Sequence, residues 1–231
     1  KRCLADIISL LATVHEAAIK DGFKDTIKYR LIGNKMPIKY WGDEYIAQLV
    51  VDIVNEFREN QFSRQVQNQL AGLVEEIADY YFKHDSIIEA IDLLIEIKQI
   101  NLIERHLIRI EGTETRGILY KSALYLQECA SCMNESEALL CKAFDLYLLG
   151  EHYINALILA LKFEKTCQVY KVFDKCKDTG MVKQMCLILA RQSKYIDHDV
   201  IQEDMIPLLS NCRLSHYFLH FAKELNIMKC K

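Results

Sequence analysis

The chain has 231 residues, with 29 basic and 32 acidic side chains, a formal charge of −3 and 51% hydrophobic residues. The two signs are mixed along the chain, so no run of Lys or Arg forms the electrostatic footprint that nucleic-acid binding needs. Only 2 prolines and 8 glycines are present, too few for the frequent turns of a strand-rich fold, and no stretch of about 18 apolar residues exists to cross a membrane.

The first predicted helix carries Leu4, Ile7, Ile8, Leu11 and Val14 at steps of three and four, a one-faced apolar stripe that requires a covering neighbour. The triplet "KDG" at Lys20–Gly22 ends it. Asp6 and His15 break the apolar run and no small-residue cleavage site follows, so this stretch is not expected to read as a signal peptide. The chain lacks an initiator Met and opens directly in a helical pattern, so it is expected to be a segment of a longer polypeptide.

The stretch "KYRLIGNKMPIKYWGDEYI", Lys28 to Ile46, differs from the rest, holding the only tryptophan, Trp41, and one of the two prolines, Pro37. It reads as a turn between helices. Gly33 suits a helix C-cap, Pro37 stops the helix continuing, and Asp43 and Glu44 suit the first turn of the next helix. Tyr40 and Trp41 are expected to clamp this loop to the body. Tyr45, Leu49, Ile53 and Phe57 then mark a strong helix, followed by helices at Arg64–Lys83, Ser86–Ile97 and Ile100–Ile110. After "EGTETRG" helices resume near Ile118 and continue to Ile227.

An internal repeat supports stacking of helix pairs. "DYYFKHDSIIEAI" from Asp79 and "DLYLLGEHYINAL" from Asp145 match at Asp79/Asp145, Tyr81/Tyr147, Ile88/Ile154 and Ala90/Ala156. The shared alanine lets two helices approach closely, as in tetratricopeptide-like hairpins. The expected fold is all-α, an α-solenoid of stacked antiparallel helical hairpins, with residues 1–231 forming a single helical-repeat domain; a compact bundle is the alternative.

Chemistry is sparsely written. Nine cysteines, an odd number, fall mostly where the pattern places core residues; they read as reduced thiols in a cytoplasmic or nuclear protein rather than a secreted disulfide framework. "CASC" at Cys129–Cys132 could start a zinc site with Cys141 and His152, or form a redox pair. The second close ligand pair and the βαβ setting those sites need are absent, so helix cysteines are the preferred reading. His216 and His220 stand four apart but lack the adjacent Glu of a metalloprotease helix. No catalytic, cofactor-binding or metal-ligating residue is assigned.

The segments "ADIISLLA" from Ala5, "KYRLIG" from Lys28 and "YWGDEYI" from Tyr40 nevertheless carry a resemblance. It continues through "EAIDLLIEIKQINLIE" from Glu89, "YKSALYL" from Tyr120, "ALLCKAF" from Ala138, "NALILAL" from Asn155, "CKDTGMVKQMCLILAR" from Cys176 and "YFLHFAKELNIM" ending at Met228. Together these resemble the large non-ATPase base subunits of the 26S proteasome regulatory particle, in the region before their ring of repeats. The resemblance implies a non-catalytic scaffold in the cytoplasm and nucleus whose partners are ATPase-ring and other regulatory-particle subunits. The Gly- and Ala-rich toroid repeats, with their ubiquitin and shuttle-factor sites, have no counterpart in these residues, and "HEAAIKDGFKD" and "CASCMNESEA" diverge from the pattern. Two other classes stand beside this one: a solenoid adaptor, as in vesicle trafficking, and a metal or thiol enzyme built on "CASC".

Overall fold

The computed structural model describes residues 1–13, 24–34, 36–59, 64–109, 115–132, 136–162, 164–194, 196 and 203–227. Among them every regular element is helical. Two compact units emerge, Lys1–Thr115 and Arg116–Lys231, each with its own core.

The first unit holds α1 (Arg2–Ala12), α2 (Asp25–Ile32), a 3-10 turn (Ile38–Tyr40), α3 (Asp43–Glu59), α4 (Arg64–Lys83), α5 (Ile87–Glu96) and α6 (Asn101–Ile108). Ser9 meets Thr26 while Asp6 meets Asn34, so α1 and α2 run antiparallel. Tyr80 near the end of α4 reaches Asp43 at the start of α3, which makes a second antiparallel pair. The core is built from Ile46, Leu49 and Ile53 of α3, Val74 and Ile77 of α4, Ile91 and Leu94 of α5, and Ile103 and Leu107 of α6, all fully enclosed.

The second unit holds α7 (Thr115–Cys132, apart from its first residue), α8 (Ser136–Leu149), α9 (Tyr153–Lys162), α10 (Thr166–Lys175), α11 (Thr179–Arg191), the short α12 (Ile206–Leu209) and α13 (Cys212–Glu224). Tyr120 near the start of α7 packs on Tyr147 near the end of α8, 6.0 Å between ring centroids, giving another antiparallel pair. Leu126, Phe144, Leu157, Val172 and Leu189 form its core.

The 66-residue repeat extends to the backbone. Asp85 and Glu151 both have positive φ, 63° and 58°, and so do Lys98 and Glu164 at 58° and 54°. The helices between them, α5 and α9, start and stop at matching positions. Ser86 N–H bonds Tyr81 O at 3.0 Å and His152 N–H bonds Tyr147 O at 2.8 Å, the six-residue closure of a Schellman cap. Ala90 and Ala156 are both fully buried, as a close helix approach requires. Ile88, by contrast, is exposed.

Several expectations need revision. In α1 the buried residues are Ala5 and Ser9, whereas Leu4, Ile7 and Leu11 face solvent. Gly33 does terminate α2, but with extended backbone (φ −65°, ψ −169°) rather than a left-handed turn. Its lack of a side chain matters because a Cβ there would collide with the Asp6 carboxylate. Among the described residues the left-handed glycine is Gly42, φ 84°, one residue before α3. α7 starts at Thr115, ahead of Ile118, and α13 ends at Glu224, short of Ile227. Val14, His15, the "KDG" stop, Ile110, most of "EGTETRG", His198, Met228 and Cys230 lie outside the described residues.

Candidate functional site

The densest polar arrangement lies in the first unit, where the loop after α2 is tied to α1, α3 and α4. Asp52 of α3, only 3% exposed, accepts from Thr26 Oγ1 at 2.6 Å and Lys24 Nζ at 2.8 Å. Ser9 Oγ donates to Thr26 O at 2.8 Å. Its single proton is thereby committed, so the Tyr45 hydroxyl, 2.7 Å away, must be the donor in their contact. Burial pushes the Tyr45 phenol above its usual range, which keeps that proton in place.

Arg30 is the centre of this arrangement and is itself buried. Its Nη2 donates to Met36 O at 2.6 Å and approaches both Glu76 oxygens at 3.3 and 3.4 Å. Glu76 also accepts the Ile38 N–H at 3.0 Å. The guanidinium lies 4.8 Å from the Trp41 ring centroid, and Trp41 stacks on Tyr45 at 4.7 Å. The ring face and Glu76 together offset the desolvation of a buried cation. Arg30 Nη1 is buried without a hydrogen-bond partner. Half of the expected clamp is therefore real: Trp41 is half-buried and anchored, whereas Tyr40 is exposed. The arrangement braces a loop; it presents no nucleophile beside a base and no open coordination position.

The sulfur and histidine candidates do not converge. Cys132 is exposed at the end of α7, Cys129 and Cys141 are half-buried, and none of the three is in a disulfide. His152 instead packs on Tyr120, ring centroids 4.9 Å apart, with Nε2 3.2 Å from Arg116 O. His216 and His220 are exposed on α13. Among the described residues no three His, Cys, Asp or Glu are placed to hold a metal ion. The expectation that cysteines mostly serve the core also needs correction: of those described only Cys176 and Cys186 are buried. A hollow of about 50 Å³ between α9, α10 and α11, lined by Ala160, Val169, Leu189 and Ile196 with Lys165 and Lys194, is far below the roughly 300–1,000 Å³ of a cofactor pocket.

Surface is the more telling property. In the first unit the Leu4–Ile7–Leu11 ridge of α1 is open, and in the second Tyr217, Phe218 and Phe221 are exposed on α13, with exposed Leu225 just past its end. Exposed apolar patches of this kind mark interaction sites more often than they mark chemistry. Sequence reasoning did not single out Arg30, Asp52 or Ser9. The available signal was polar residues at core spacing, since Asp52 and Glu56 fall within the buried stripe of α3.

The chain is 29% identical over 238 residues to the Arabidopsis thaliana protein "26S proteasome non-ATPase regulatory subunit 2 homolog A", covering 100% of this chain and 26% of that protein. It is 29% identical over 233 residues to "26S proteasome regulatory subunit rpn1" of Schizosaccharomyces pombe, covering 100% and 25%. With "26S proteasome regulatory subunit RPN1" of Candida glabrata it shares 28% identity over 256 residues, covering 100% and 24%. The chain thus spans about a quarter of the length of these relatives. The family model described as the RPN1 N-terminal domain matches residues 1–231, and the chain belongs to that family.

Proposed function

We propose that the chain is part of a non-catalytic scaffold and regulatory subunit of the 26S proteasome base. In this reading it supports ubiquitin-dependent degradation through contacts with ATPase-ring and other regulatory-particle subunits, in the cytoplasm and nucleus. The observation that carries the reading is the match of the RPN1 N-terminal domain model to residues 1–231, with relatives named as regulatory and non-ATPase subunits. The braced loop around Arg30 and the exposed apolar helix faces support it, because a scaffold needs rigid elements and open surfaces rather than a reactive pocket.

Affinity purification of the full-length protein tests the reading. ATPase-ring subunits are expected in stoichiometric amounts. Recovery of a trafficking coat, or of no ATPase subunit, would overturn it.

A further inference from the structure

Helices α1 and α2 are fastened to the rest of the first unit by polar contacts rather than by bulk. Among their described residues through Gly33 the enclosed ones are Ala5, Ser9, Thr26, Ile27, Arg30 and Gly33, and Ile27 is the only large aliphatic of the six. By contrast α3 to α6 share enclosed Ile53, Ile77, Ile91 and Ile103. The ties across the seam are side-chain bonds. Asp52 of α3 accepts from Thr26 Oγ1 at 2.6 Å and from Lys24 Nζ at 2.8 Å. Tyr45 of α3 donates to Ser9, and Glu76 of α4 faces Arg30 Nη2 at 3.3 and 3.4 Å. In both ion pairs the cation comes from the α2 side and the carboxylate from the α3 and α4 side.

We infer that α1 and α2 form an ionic latch, a helical pair that parts from α3 and α4 as one body in a minor fraction of molecules and then recloses. Parting this seam uncovers chiefly polar groups, which water accepts, so it forfeits little of the hydrophobic stabilisation that holds α3 to α6 together. Segments with few buried apolar contacts open well below the free energy of global unfolding. The two helices travel together because their mutual bonds do not cross the seam: Ser9 Oγ donates to Thr26 O, and Asp6 accepts the Asn34 N–H. Trp41 stays behind, stacked on Tyr45, while the turn before it keeps the Ile38 N–H bond to Glu76. The closed state carries its own penalty, since Arg30 Nη1 is buried there without a partner and gains water on opening. Ions tune the balance. One end of each pair reaches solvent, with the Lys24 side chain 33% and the Glu76 side chain 39% exposed, so dissolved salt competes with the closed contacts.

The test is hydrogen exchange read by mass spectrometry on the full-length protein in its native assembly, where whatever the longer polypeptide or a partner lays on the outer face of α1 is in place. Peptides of α1 and α2 are expected to exchange at one common rate, at least about tenfold faster than those of α3, α5 and α6. Raising NaCl from about 0.05 M to about 0.5 M should speed α1 and α2 and leave α5 and α6 unchanged. Asp52→Asn should accelerate α1 and α2 by about tenfold, the scale of one charge-assisted hydrogen bond. Lys24→Met, at a part-exposed position, removes the same ion pair without touching the core of α3 and should act in the same direction. Exchange of α1 and α2 as slow as that of α3 would overturn the latch. So would separate rates for the two helices, indifference to both salt and Lys24→Met, or an acceleration that spreads equally to α5 and α6. Recovery of ATPase-ring subunits does not depend on any of these outcomes, so the latch and the scaffold reading fail separately.

Discussion

At the scale of single residues, the loop between α2 and α3 is held by a few expensive contacts rather than by bulk. Trp41→Ala removes a stack on Tyr45, worth about 0.5–1.5 kcal/mol, and a cation–π contact with Arg30, worth about 0.5–2 kcal/mol. A loss of about 1–3 kcal/mol in denaturant unfolding is expected, less than for a fully buried tryptophan. In the native protein the sole tryptophan should resist quenching; free access of iodide with unchanged stability in the variant would refute the clamp. Cysteines divide by burial. Burial pushes the Cys176 and Cys186 thiols above their usual range, so both should alkylate slowly with iodoacetamide while exposed Cys3, Cys132, Cys167 and Cys212 react first. Equal rates across the set, read by mass spectrometry, would contradict the buried placement. Trp41 was legible in the sequence because its neighbours are local. The role of Arg30 was not, because Glu76 lies 46 residues away, and nothing in a one-dimensional pattern states which distant acid a buried cation will meet.

Helices themselves were the most legible elements, and their ends explain how a chain with so few glycines makes so many turns. α4 begins and ends where its apolar period does, at Arg64 and Lys83. Schellman-type closures then occur at non-glycine residues: Asp85, Lys98, Glu151, Ser193 and Asn226 all have positive φ. After Ser193, Lys194 N–H bonds Leu189 O at 3.0 Å. An L-residue in this conformation costs about 1–2 kcal/mol that glycine does not incur, partly offset by the greater freedom glycine gives the unfolded chain. Ser193→Gly, at an exposed position, is therefore expected to stabilise the fold by about 0.5–1 kcal/mol, measured as a raised denaturant midpoint. A lowered midpoint would show that the serine contributes more than its conformation costs. The repeat adds a converse case. Ala90 and Ala156 are enclosed, and Ala156→Leu should destabilise by about 1–3 kcal/mol through overpacking. What the period could not reveal is which side of α1 faces inward, because the deciding contacts are two hydrogen bonds of Ser9, and helical periodicity counts only apolar residues.

At the scale of the molecule, family membership and helical class were both readable in advance, because they depend on patterns spread over the whole chain rather than on any one contact. The same spread makes stability sensitive to alkali. Burial raises the phenol pKa of Tyr45 and Tyr81 in the first unit and of Tyr147 and Tyr153 in the second, and a hydrogen bond to Asp43 raises that of Tyr80. In each case the protonated form is favoured more in the folded state than in the unfolded chain. The resulting stability is fully present below the unfolded phenol pKa of about 10 and is lost as pH rises through the higher folded values. Cys176 and Cys186 act in the same direction from the ordinary thiol range of about 8.5 upward. Because these groups lie in both units, neither should be spared. Thermal melts followed by circular dichroism are expected to hold a steady midpoint from neutral pH to about 8, then fall as pH passes about 10, with Trp41 emission reporting the first unit and helicity reporting the whole. The part of the tyrosinate absorbance that Tyr45→Phe removes should appear together with loss of helix rather than before it, since ionising Tyr45 removes the proton it donates to Ser9 and places a charge in the core. A melting midpoint unchanged through the range in which phenols ionise would mean that these rings are solvated, and the packing described for both units would have to be revised.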